Sequence, residues 1–175
     1  HGLVVGGDTV DEVARISEEV CSLLGRPTRA PSGGNPAAVQ ALAREWQAQG
    51  YTPATDEGVQ ALACDPDLLR RAKSGWVLYP DHAVFLGAVA PIAQTDESPE
   101  ACLIRLEGRP PVILVPGKGA VVADSASLNQ RLMLGCYAAV LCRLHPEERV
   151  RPLSQNEVAA LLNLEQEKYR QRHSK

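Results

Sequence analysis

Apolar positions recur along the chain at a helical period in some stretches and at a strand-like period in others. The alternation of the two predicts the order of elements. Over residues 10 to 24, Val10, Val13, Ala14, Ser17, Val20, Cys21 and Leu24 fall on one face, while Asp11, Glu12, Arg15, Glu18 and Glu19 lie mostly on the other. Thr9 and Glu12 have the spacing of a capping box for this helix, and Gly6 and Gly7 make a turn ahead of it. Residues 1–5, "HGLVV", are β-branched enough to read as a strand. Strand, turn and helix make half of an α/β unit, which cannot bury its own apolar faces. The periodic pattern then stops at "GRPTRAPSGGNP", residues 25–36, where Pro, Gly, Ser and Arg imply an exposed linker.

Beyond the linker, "PAAVQALAREWQAQG" predicts an amphipathic helix with Asn35 as cap, Pro36 at its first position and Gly50 as its stop. A helical stretch over roughly 55–73 should be broken and capped again at "DPDLLRR", because Pro66 cannot continue a helix. Three strand regions are then expected: "WVLYPDHAVFLG", bent at Pro80, "ACLIRLEG", and "PPVILVPGKGAVVAD", the last a hairpin turning at Pro116 to Gly119. Two helices close the chain, "SLNQRLMLGCYAAVLCRL", with Asp124-Ser125 as its capping residues, and "LSQNEVAALLNLEQEKYRQ", capped by Ser154 with Glu157. The expected fold is α/β or α+β, with a small mixed or antiparallel sheet flanked by helices. Residues 1–24, the linker 25–36 and a C-terminal module over 37–175 are its divisions.

Composition narrows the function classes. At 175 residues and 45% hydrophobic the chain can bury one ordinary core. Eighteen basic residues against 21 acidic ones give a net charge of -3 with the signs interspersed, so no basic face for nucleic acid is expected. The longest apolar runs fall short of the roughly 20 residues that span a bilayer, and no basic and apolar leader opens the chain, which reads as soluble and cytoplasmic. The five cysteines, Cys21, Cys64, Cys102, Cys136 and Cys142, stand singly and read as small buried hydrophobes rather than a disulfide or zinc framework.

Few residues offer chemistry. In "PDH", Asp81 and His82 would point to opposite faces of a strand, so they form no acid/base dyad. His82 is expected to pack against the sheet, hydrogen-bonded or exposed, with a place on the rim of an active site as the functional alternative. "PGKG" lacks phosphate-loop spacing and joins two strands. It reads first as a hairpin turn, from which Lys118 could extend toward a phosphate or carboxylate as a point charge. "GG" at Gly6 and Gly7 is likewise a turn first. No serine or cysteine nucleophile can be assigned a histidine partner from spacing.

The opening "HGLVVGGDTVDEV" resembles a segment late in the catalytic fold of the class II aldolase/adducin family, in which a strand delivers a histidine and a "G-x-T-x-x-E" helix start follows. "LYPDHAVFLG", "ILVPGKGAVV" and "EVAALLNLEQEKYRQ" are similar to the C-terminal region of longer bacterial members. The resemblance implies that residues 1–24 are a strand-helix remnant of that fold, and that the chain is the C-terminal part of a longer protein. It implies that His1 is the third imidazole ligand of a zinc or other divalent ion. Three nitrogens leave such a metal an open position that can hold the enediolate of a cleaved aldol. Gly2, without a Cβ, would let substrate approach closely, and His82 and Lys118 would be further substrate contacts.

The family's H-x-H pair and acidic residue lie upstream of "HGL" and have no counterpart here. One imidazole is a weak site, so this chain alone is expected neither to hold the metal tightly nor to cleave an aldol. The implied activity of the complete protein is zinc-dependent aldol cleavage of a small phosphorylated or carboxylated sugar-like substrate by a homo-oligomer. The alternative is a non-catalytic, adducin-like interaction or assembly module.

Overall fold

The structure is a computed structural model, and it describes residues 3–25, 34–145 and 147–165. Its elements, in order, are α1 (Val10–Leu24), α2 (Pro36–Trp46), β1 (Tyr51–Pro53), α3 (Glu57–Cys64), α4 (Pro66–Ser74), α5 (Pro80–Leu86), α6 (Pro99–Arg105), β2 (Val112–Val115), β3 (Gly119–Ala123), α7 (Leu128–Arg143) and α8 (Gln155–Leu162), with a 3-10 turn at Gln47–Gln49. The class is mixed helix and strand, as expected. The sheet is small and wholly antiparallel, in the order β1-β3-β2.

Every residue of β2 and β3 is buried, because helices cover both faces of the hairpin. Alternation along the strands divides the core in two. Val112, Leu114, Ala120 and Val122 face a layer built from α3, α4, α5, α7 and α8. Ile113, Val115, Val121 and Ala123 face the opposite way, onto Leu42 and Trp46 of α2, Tyr51, and Cys102 of α6. The free edge of β2 is covered by residues 91–93: Leu114 donates to the Pro91 carbonyl at 2.8 Å and Ala93 donates to that of Leu114 at 2.9 Å. An exposed strand edge invites pairing with other chains, and this segment closes it.

The predicted helix starts at Asn35-Pro36, Pro66 and Ser154 stand where expected, and so does the 116–119 hairpin turn. Thr9 also caps α1, accepting from the Glu12 N–H, while the Glu12 carboxylate accepts from Asp8. Four expectations are corrected. Residues 3–5 form no strand; Leu3 and Val4 are exposed and pair with no described strand, and none of the residues of α1 is buried. "WVLYPDHAVFLG" contains a helix, α5, rather than strands: Pro80 takes the first helical position, Asp81 the first turn, and Gly87 ends it at φ 90° with its N–H on the Ala83 carbonyl. "ACLIRLEG" is helical too, started by Ser98, whose hydroxyl accepts from Ala101, and by Pro99. The cap of α7 is Ser127, in a reciprocal box with Gln130, rather than Asp124-Ser125. Strand β1, three residues long, was not expected at all. It ends against Gln60, whose side chain continues the ladder: Ala120 donates to Gln60 Oε1 at 2.8 Å, and Nε2 donates to the Ala54 and Ala120 carbonyls.

Candidate functional site

The connection between α4 and α5 brings the aromatic residues together. Arg71 and Lys73 occupy the last turn of α4, and after Gly75 the chain runs on through Trp76 and Val77, both buried. The Trp76 indole N–H donates to the Gly87 carbonyl at 3.1 Å, fixing the ring across both ends of α5. His82 in the first turn of α5 is fully buried beneath it. Its ring centroid lies 4.6 Å from that of Trp76, 4.4 Å from that of Tyr137 and 5.7 Å from that of Tyr79. The first two contacts are edge-to-face, the geometry that aromatic quadrupoles favour.

Among the described residues neither ring nitrogen of His82 has a hydrogen-bond partner, and nor has the Tyr137 hydroxyl. Burial without a partner penalises the imidazolium, so the His82 pKa falls from the ordinary 6.5 to about 3. Burial also pushes the Tyr137 and Tyr79 phenols upward, and for Tyr79 the contact with Cys136 adds to the effect; its hydroxyl lies 3.6 Å from Sγ. His82 is therefore an imidazole that the described residues bury and that burial keeps neutral. The expectation of a strand histidine, hydrogen-bonded or exposed, is corrected on both counts: the helix turns it inward and the box gives it no partner.

Above Trp76 lies a cleft of about 940 Å³, walled by residues 73–77, by the loop 88–95 and by α8. Leu153 donates to the Val77 carbonyl at 2.8 Å, which anchors the start of α8 to the cleft's floor. The surface is apolar at Trp76, Val77, Val89, Val158 and Leu162 and polar at Lys73, Gln94, Thr95, Arg105 and Gln155. The two cations differ. Arg105 makes a two-pronged ion pair with Glu97, both nitrogens at 2.7 Å, and its Nη2 also donates to the Ile92 carbonyl. The guanidinium holds the Glu97 carboxyl down at about 2, so Arg105 is committed to folding the 92–105 loop. Lys73 has no ion-pair partner among the described residues and is exposed.

The residues singled out in the sequence are not brought together. His1 and Gly2 lie outside the described residues. Lys118 sits on the hairpin turn with Nζ 3.5 Å from Glu45 Oε1 of α2, and neither it nor His82 lines the cleft. Two of the cysteines expected in the interior, Cys21 and Cys136, are exposed, Cys64 is half-buried, and only Cys102 and Cys142 are buried. Burial, aided by Glu97, raises the Cys102 thiol to about 11, which leaves it inert as a nucleophile. Among the described residues no group of three or more His, Cys, Asp or Glu side chains could hold a metal ion. They do not make a zinc site, and no metal-dependent step follows from them. No described helix is long and apolar enough to cross a membrane. Sequence reasoning missed Lys73, Gln94 and Gln155, since a lysine on the polar side of an amphipathic helix, an amide in a loop and an amide at a helix start carry no signal of a shared cleft.

No protein-family model, no curated protein and no solved structure matches the chain.

Proposed function

We propose that the chain is the C-terminal part of a class II aldolase-like, zinc-dependent lyase, and that residues 34–165 serve it as an accessory module that binds a small anionic molecule without transforming it. The lyase part rests on the "HGL" opening and the motifs that follow it in order. His1 is the proposed zinc ligand, and the remaining ligands and the acid/base group are placed outside this module. The module's part rests on one observation, the cleft in which an apolar floor at Trp76 meets the ammonium of Lys73, which has no ion-pair partner among the described residues, with Gln94 and Gln155 as neutral donors. Pockets of this size, mostly apolar with a few convergent polar groups, suit small ligands, and a lysine without a carboxylate neighbour favours an anionic one. A carboxylated or phosphorylated molecule fits that chemistry.

Isothermal titration with 2-phosphoglycolate, which carries both anionic groups, tests the cleft. Binding to the wild-type chain should weaken about tenfold or more in Lys73→Gln, the loss of one charge-assisted hydrogen bond. The exposed position of Lys73 leaves the melting temperature unchanged. Equal binding by both proteins, or none by the wild type, would refute the cleft as an anion site.

A further inference from the structure

Helix α7 has a second apolar face, which the described residues leave exposed at Leu128 and Leu132 and half-covered at Gly135 and Ala139. Its 16 residues span about 24 Å. Leu134, Tyr137, Ala138, Leu141 and Cys142 are buried in the core. On the opposite side Leu128 and Leu132 are 67% and 62% exposed. A helix that is apolar on both sides is normally covered on both. Leu128, Leu132, Gly135 and Ala139 follow one another at intervals of four, three and four residues, the spacing of a coiled-coil seam.

We propose that this face is the interface of a symmetric dimer with a second copy of the chain, the two α7 helices lying antiparallel. Two large residues precede two small ones along the seam, so antiparallel pairing sets Leu128 against the partner's Ala139 and Leu132 against the partner's Gly135. Each leucine then fills the hollow left by a small residue, and the two-fold axis repeats both contacts. Parallel pairing would set leucine on leucine and glycine on glycine, which leaves a void at one end. Charge selects the same register: it places Asp124, just before the helix, opposite the partner's Arg143 in its last turn. Both residues are exposed and neither is in an ion pair among the described residues; Arg143 Nη1 donates to its own helix, at the Ala139 carbonyl, 3.0 Å away. The interface does not depend on the lyase reading.

Sedimentation velocity on the full chain, up to about 0.2 mM because a single helix pair buries less than a standard interface, provides the test. The wild type should show a monomer–dimer equilibrium and Leu132→Glu only monomer, with an unchanged melting temperature because Leu132 is a surface residue. Asp124→Arg and Arg143→Asp should each weaken the dimer about fivefold or more, since each substitution acts twice across the axis. The two together should restore it to within about twofold of the wild type, because the swapped charges face each other again. A monomer at every concentration, a dimer indifferent to Leu132→Glu, or a double variant no better than the singles would overturn the proposal. So would a dimer abolished by Leu23→Glu alone, which would move the interface to α1.

Discussion

Replacing His82 with phenylalanine should flatten the fall in stability that the wild type shows between about pH 6.5 and 4. In the native state the imidazole takes up a proton only near pH 3, whereas in the unfolded chain it does so near 6.5. Unfolding therefore binds a proton throughout that interval, and stability rises with pH across it. The stabilising difference is fully present above pH 6.5 and is lost as the pH falls toward 3, a change of roughly 4 to 5 kcal/mol from this one group. Phenylalanine fills the same edge-to-face box beside Trp76 and Tyr137 without orphaned nitrogens. At pH 7 the variant should be as stable as the wild type or more so, by about 1 to 3 kcal/mol, the cost of an unsatisfied buried polar group. Urea unfolding of both proteins from pH 7.5 to 4 measures this. Parallel stability curves for the two would show that His82 has a partner in solution.

The second large effect is expected at Gln60. Strand β1 ends at Pro53, and beyond it the Gln60 amide takes the place of the missing strand residue, satisfying the buried Ala120 N–H and the Ala54 carbonyl. Gln60→Leu keeps the volume and leaves both groups unpaired, at a cost of about 2 to 4 kcal/mol in urea unfolding at neutral pH. A cost below that of an ordinary surface substitution would mean that water replaces the amide. The same crowding explains why the hairpin needs Gly119: at φ 139°, a Cβ there would lie 2.3 Å from Gln60 Oε1.

Elements with local punctuation were legible in the sequence. Asn35-Pro36, Asp65-Pro66 and Ser154 with Glu157 mark helix starts through hydrogen bonds that their own side chains make, and the structure places helices at each. Helices α5 and α6 carry the same signals, Pro80-Asp81 and Ser98-Pro99, yet their short runs of Val, Phe, Leu and Ile read equally well as strands. Periodicity cannot separate a short buried helix from a strand, and only the caps distinguish the two. Strand β1 was invisible because its pairing partner, β3, lies about 70 residues away in sequence and nothing local signals it. The site was less legible than the fold. His82 was a visible candidate, but its isolation depends on Trp76 and Tyr79 of the α4–α5 connection converging with Tyr137 of α7. The commitment of Arg105 depends on Glu97 across a turn, and Lys73 matters only by contrast with it.

In the proposed lyase any metal chemistry belongs to His1 and none of it to the buried histidine of the module. Elemental mass spectrometry of the complete gene product, its His1→Ala variant and its His82→Phe variant tests that division most directly. About one zinc per subunit should be found in the wild type and in His82→Phe and lost in His1→Ala, as for a site that needs its third nitrogen. Zinc lost in His82→Phe, kept in His1→Ala, or absent from all three would contradict it.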